Sequence, residues 1–300
     1  MNFERPAAAR HCVIRYAKPR TLDEALVLLG DGKWRIVAGG TDFYPGQGNR
    51  PIRENILDIN GLGELRGISE ADRHYVIGAR TTWTEIVQAS GLPPAFDALK
   101  QVAREVGSVQ IQNVGTVAGN LCNASPAADG SPGLLALDAE VELSAASGVR
   151  HLPLGSFILG NRSTALNPNE MVTAIRVPKA SAVGTSSFVK LGARRYLVIS
   201  IAMAAARIEL DAAGGITAAA ISVGSCSAVA QRLGELERRL IGLPDVGTVE
   251  EAISASPLSE LVPIDDVRGS ADYRREAARE IVQRAVGAAI GAYHTRGLAA

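Results

Sequence analysis

Residues 108–130, SVQIQNVGTVAGNLCNASPAADG, gather Gly115, Gly119, Asn120, Asn123, Ser125 and Asp129 into a stretch with few bulky side chains. Such a stretch exposes backbone N–H groups beside short hydroxyl and amide side chains, the equipment for holding an anionic phosphate at close range. A second stretch of this kind lies upstream at Ile36–Gly46, IVAGGTDFYPG, where an apolar, strand-like run breaks into Gly39-Gly40 followed by Thr41 and Asp42. Taken together the two suggest halves of one dinucleotide cradle. Taken singly, each also fits a plain turn: Gly39-Gly40 between two strands, Gly115–Asn120 as a bend that lets two backbones pack closely.

Gly39 and Gly40 carry no Cβ, so the backbone amides of Ile36–Phe43 can surround a diphosphate without a counter-charge. Thr41 adds a hydroxyl donor. Asp42, when ionised, can only accept, either from loop amides or from a ligand hydroxyl, and a turn-stabilising role explains it equally well. In the second stretch Thr116, Gly119, Asn120 and Ser125 can donate, whereas Asp129 accepts. Nothing in the chain pairs a nucleophile with a base or sets two carboxylates at catalytic spacing, so no catalytic residue is expected. A bound cofactor would carry the chemistry while the protein positions it.

Elements must hold these loops. Thr21 and Glu24 have capping-box spacing ahead of Ala25–Leu29, and Gly30-Asp31-Gly32 ends that helix before a strand at Arg35–Ala38. Downstream the pattern predicts a strand at Tyr75–Gly78, helices at Trp83–Ala89 and Phe96–Val106, the second loop, a short helix at Gly133–Asp138 and a strand at Glu140–Ser144. Pro178 and the small polar run Ala180–Ser187 mark a boundary. Strands at Ser187–Leu191, Ile201–Leu210 and Ile216–Val223 follow, the last two joined by Asp211–Gly215. Helices are predicted at Leu233–Ile241, Val249–Ser254 and Tyr273–His294. Strands first and helices after favour α+β for this part.

Composition narrows the function classes. Three hundred residues, 47% of them hydrophobic, suffice for two or three lobes with a real core. The formal net charge of zero and the lack of basic runs beyond Arg194-Arg195 and Arg238-Arg239 leave no electrostatic footprint for nucleic acid. No apolar run approaches the ~20 residues needed to span a bilayer, and the N-terminus lacks the apolar core of a secretory signal, so the chain reads as cytoplasmic. Cys12, Cys122 and Cys226, like His11, His74, His151 and His294, are scattered without metal-ligand spacing. No metal is expected. Cys122 sits inside the second loop and is the one cysteine placed to lie near a bound ring system.

The blocks AGGTD, TVAGN leading into NASPAAD, EMVTAIRVP at Glu170–Pro178, SFVKLGARRYLVISIAMAAARIEL at Ser187–Leu210 and RGSADYRREAAREIV at Arg268–Val282 occur in a set order. That order resembles the FAD-binding medium subunit of the molybdenum hydroxylases, the family of bacterial xanthine dehydrogenases, carbon monoxide dehydrogenase and related enzymes oxidising N-heterocycles and aldehydes. Thr116-Val117-Ala118-Gly119-Asn120 stands where many relatives have T-I-G-G-N, with Val117 in place of isoleucine and Ala118 adding one methyl group to glycine. The resemblance implies an α+β fold: a two-lobed FAD-binding domain of the p-cresol methylhydroxylase/vanillyl-alcohol oxidase type over residues 1–177, with lobes of about 1–57 and 58–177, then a C-terminal α+β domain over 178–300.

It also implies FAD held by Ile36, Val37, Ala38, Gly39, Gly40, Thr41, Asp42 and Phe43 from the first loop and by Gly115, Thr116, Ala118, Gly119, Asn120 and Ser125 from the second. Asp129 would meet a polar hydroxyl of the cofactor, Val106 and Val172 would make apolar contacts, and Lys190 would lie by the ring and stabilise negative charge on the reduced flavin. Tyr196 could pack near a ring face or be plain core. A large partner would carry the molybdenum cofactor and a small one the [2Fe–2S] clusters, in a dimer of heterotrimers. Electrons would reach FAD from the clusters and leave to NAD or another acceptor. Two other readings stay open: a self-sufficient FAD-dependent oxidoreductase binding its own substrate, and an assembly subunit that has lost FAD.

Overall fold

The computed structural model describes residues 14–244 and 246–297, which build three sheets and one separate hairpin. The first lobe comprises β1 (Tyr16–Ala17), α1 (Leu22–Gly30), β2 (Arg35–Val37), α2 (Phe43–Gln47) and β3 (Ile56–Asp58), with a parallel sheet ordered β1-β3-β2. Thr21 Oγ1 accepts from Glu24 N at 3.3 Å, while the Glu24 carboxylate reaches back to Arg20 N at 2.8 Å, so the cap is reciprocal but displaced by one residue. Ala25 and Leu29 on α1 pack against Leu57, Ile59 and Leu62.

In the second lobe β4 (Ile68–Glu70) and β5 (His74–Gly78) precede a run of short helices: α3 (Trp83–Gln88), α4 (Asp97–Glu105), α5 (Val109–Val114), α6 (Val117–Asn123) and α7 (Gly130–Leu135). Then come β6 (Glu140–Ala145), β7 (Gly148–Pro153), α8 (Leu154–Phe157), the hairpin of β8 (Ile158–Gly160) and β9 (Ser163–Thr164), and β10 (Met171–Pro178). The sheet is antiparallel in the order β4-β5-β10-β6-β7. Leu99 and Val102 of α4, Trp83 and Ile86 of α3, Leu121 of α6 and Leu134 of α7 form one core with Ile77, Val141 and Ile175 from the strands.

The third lobe is an antiparallel sheet of β11 (Thr185–Leu191), β12 (Ala202–Leu210), β13 (Ile216–Gly224) and β14 (Gln231–Arg232), followed by α9 (Gly234–Leu240), α10 (Val246–Ser254) and α11 (Ala271–Gly297). Alternation along β12 sends Ala202, Ala204, Ala206 and Ile208 into this lobe's core with α11, and Met203 and Ala205 into the core of the second lobe. Burial on both faces explains why AMAAARI reads as a continuous apolar run. Arg207 follows the second-lobe face: its Nε donates to Ala136 O at 2.9 Å and its Nη2 meets Asp138 at 3.2 Å.

Several sequence expectations shift. The second loop is mostly helical, as α5 and α6. The helix expected at Gly133–Asp138 runs Gly130–Leu135, and Asp138 closes it at φ 49°. The stretch after Ser144, given no element from sequence, supplies β7 and the central β10. His11 and Cys12 lie outside the described residues. Among the described residues, no helix is long and apolar enough to cross a membrane, and no cluster of His, Cys, Asp and Glu could hold a metal ion.

Candidate functional site

A cleft between the first two lobes holds about 1090 Å³ of empty space, part of it open to solvent. One wall is the turn after β2. Gly40 takes φ 68°, a left-handed conformation that costs glycine least, and the chain then winds into α2 with Tyr44 N donating to Gly40 O at 3.1 Å. Asn60 Nδ2 holds Ala38 O at 2.8 Å. The backbone N–H groups of Gly39, Gly40, Thr41 and Asp42 donate to no acceptor among the described residues. Four consecutive unpaired amides at a cleft are an electropositive surface suited to an anion.

The other wall is the α5–α6 junction, fixed from behind by α3. Trp83 N donates to Gly115 O at 3.1 Å and Val117 N to Thr81 O at 3.0 Å, while Thr82 and Thr116 form an isolated bridge. The Trp83 ring, 1% exposed, backs Gly115 and Gly130. The two walls meet at Gly39: a Cβ there would fall on the Val114 carbonyl, so only glycine permits the approach. Thr116 caps α6 through Gly119 N at 3.0 Å, and Asn120 N bonds to Thr116 O at 3.0 Å. The amides of this second turn are therefore largely satisfied within the chain, unlike those of the first. Asn120 presents a different opening: its Oδ1 is buried and has no hydrogen-bond partner among the described residues.

Thirteen of the residues named from sequence line the cleft: Ile36 through Phe43, Val106, Gly115, Thr116, Gly119 and Asn120. Five do not. Ala118 and Val172 are buried in the second lobe's core, because the periodicity of α6 and β10 turns them inward. Ser125 Oγ accepts from Ala127 N at 3.3 Å in the following turn. Asp129 and Lys190 pair with each other behind the wall, Nζ to Oδ2 at 2.5 Å, with Ser200 Oγ donating to Asp129 Oδ1 at 2.6 Å and Lys190 Nζ also reaching Glu105 O at 3.4 Å. Burial pushes the Asp129 carboxyl above the usual carboxylate range, against the opposing pull of the Lys190 ammonium and the Ser200 hydroxyl. Tyr196 is 62% exposed.

The lining also includes Arg35, Trp83, Ile111, Cys122, Asn123 and Arg162. Of these, Ile111, Cys122 and Asn123 carry a sequence signal, their place inside the glycine-rich stretch, in which Asn123 stands out by its amide. Cys122 is exposed at the cleft surface. Arg35 is held by Glu54 through two bonds of 3.0 Å, leaving it little free charge. The arrangement offers unpaired amides, one unsatisfied amide oxygen, apolar surface from Val106 and Ile111, and no nucleophile with a base beside it.

Residues 11–180 match the family model described as the FAD binding domain in molybdopterin dehydrogenase, and residues 187–289 match the CO dehydrogenase flavoprotein C-terminal domain. The chain is 31% identical over 273 residues to the nicotinate dehydrogenase FAD-subunit of Eubacterium barkeri, covering 89% of this chain and 92% of the relative. It is 30% identical over 282 residues to the xanthine dehydrogenase FAD-binding subunit of Escherichia coli O157:H7, covering 92% and 96%. Its fold superposes on a chain of the Cu,Mo-CO dehydrogenase in its cyanide-inactivated form with a TM-score of 0.85 at 28% identity, over 93% of this chain and 98% of that one.

Proposed function

The chain belongs to the FAD-binding medium subunits of the molybdenum hydroxylases, and we propose that it holds FAD non-covalently in the cleft between its first two lobes and relays electrons through it. Bound FAD supplies the one- and two-electron chemistry that no side chain of the cleft offers. The protein's residues do the rest. The amides of Gly39–Asp42 hold the diphosphate, and the missing Cβ of Gly39 lets the two walls close to the width of a dinucleotide. Val106 and Ile111 keep water from the apolar part of the cofactor, and the amide oxygen of Asn120 accepts from a ligand N–H or hydroxyl. Residues to 177 act as the cofactor domain and the remainder as a docked α+β domain.

In this reading a large partner carries the molybdenum cofactor and oxidises the organic substrate, and a small partner carries [2Fe–2S] clusters that deliver electrons to this chain. The final acceptor is NAD or another oxidant, and the assembly is a dimer of heterotrimers in the cytoplasm. The observation that carries the reading is the run of four unpaired amides in the same cleft as the orphaned Asn120 oxygen. A buried polar atom without a partner is costly unless a ligand satisfies it. The purified protein should show flavin absorbance and release one FAD per chain on acid precipitation. A correctly folded protein without flavin would favour the assembly subunit that has lost FAD.

A further inference from the structure

Arg162 stands out among the cleft residues on two counts. Its backbone lies at φ 59°, in the left-handed region where glycine and asparagine are at home and an arginine is strained. The residue before it is Asn161, so a turn built only for its own stability had the better side chain one position away. Arg162 also has no carboxylate partner among the described residues. Its backbone N–H donates to Ala124 O at 2.9 Å, tying the β8–β9 hairpin to the end of α6, and its Nη1 makes one long contact, 3.4 Å, to Asn123 O. By contrast Arg35, the other cation of the cleft, is neutralised by Glu54.

A strained, unpaired cation on the wall of a cleft whose other wall is a nest of free amides fits one ligand chemistry, a phosphate anion. We infer that Arg162 binds the phosphate of the dinucleotide and supplies the positive charge that the amide nest alone lacks. This rests on the proposed FAD site and adds a residue and a selectivity to it. An arginine on phosphate favours the dinucleotide over the uncharged flavin nucleoside that shares the same ring. The strained backbone is kept because a glycine or asparagine at this position would leave that anion without its cation.

The full chain, purified with the subunits that accompany it and stripped of flavin, is tested by equilibrium dialysis against FAD and against riboflavin. In R162Q and R162G the FAD dissociation constant should rise at least about tenfold, in line with loss of a charge-assisted hydrogen bond, while riboflavin binding stays within about twofold of wild type. R162G should melt no lower than wild type, since glycine relieves the left-handed backbone, and R162K should recover part of the FAD affinity. Unchanged FAD affinity in R162Q overturns the inference, as does an equal loss of riboflavin, which would move the guanidinium to the ring. A wild-type protein that binds no FAD overturns the site on which the inference stands, and the inference with it.

Discussion

Flanked by Phe188, Val189 and Leu191, Lys190 reads from residue types as an ordinary exposed strand lysine, and the family resemblance is what sets its ammonium by a flavin ring. In the structure the ammonium is 8% exposed and sits on Asp129, itself 9% exposed, so the positive charge is already balanced. Removing Lys190 leaves a carboxylate buried without its partner, a change that costs about 3–5 kcal/mol. K190M should therefore lower stability in urea unfolding by that order, and pairing it with Asp129→Leu should recover much of the loss. The pH dependence has a definite sign. Burial already holds the Asp129 carboxyl high, so the folded chain binds that proton more readily than the unfolded one, and stability falls as pH rises through the window between the ordinary and the raised value. Without Lys190 the window widens upward. The K190M deficit should be largest at neutral pH and shrink on acidification; a deficit independent of pH would remove Asp129 as its cause. What the sequence displays at this scale are residues with a local signature, such as Gly39, Gly40, Thr41 and Thr116. Trp83 and Arg162 reach the cleft from other parts of the chain, and no local pattern marks them.

At the scale of elements, the long helices and the long strands of the third lobe were legible from their apolar patterns, whereas β7 and β10 of the second lobe went unread and other errors fall where helices are too short to show a period. α5 and α6 each complete fewer than two turns, so their glycines and polar residues look like a loop. α2 carries Pro45 within its first turn, where the missing N–H is harmless to a helix, yet the proline and its glycine neighbours suggest a turn. The junction of the two walls is the element-level determinant of the cleft. Because the Gly39 Cα abuts the Val114 carbonyl, Gly39→Ala should push the walls apart. Overpacking of this kind costs about 1–3 kcal/mol. If the cost appears as lost cradle geometry, flavin binding weakens by roughly tenfold to a hundredfold. Gly46→Ala, where a Cβ would meet open space, is the control and should keep its flavin. Measured FAD per chain separates the two, and equal retention in both variants would place the cofactor away from this junction.

At the scale of the molecule, β12 makes the second and third lobes one body. Met203 and Ala205 complete the second lobe's core, and Arg207 with Arg232 shares Asp138 across the boundary at 3.2 and 2.5 Å. The polar run Ala180–Ser187 marks a boundary in sequence, and in the structure Thr185, Ser186 and Ser187 are buried, with Ser186 Oγ donating to Ala95 O at 2.7 Å and accepting from Ala98 N at 2.8 Å. Small polar residues mark a seam here because their hydroxyls bond across it, a use that composition cannot tell from a flexible tether. The lining of the chain's cleft pairs no nucleophile with a base. The proposed role consequently requires partners to bring the electrons. The chain, tagged at its C-terminus and purified from its native host, should bring down one larger and one smaller polypeptide in equal amounts, with molybdenum and iron in the preparation. The isolated chain should bind flavin yet transfer no electrons from an organic donor to a dye, whereas the assembly should do so. Isolation of this chain alone with full oxidase or dehydrogenase activity would instead make it a self-sufficient flavoenzyme, and the substrate pocket would then have to be sought in this cleft.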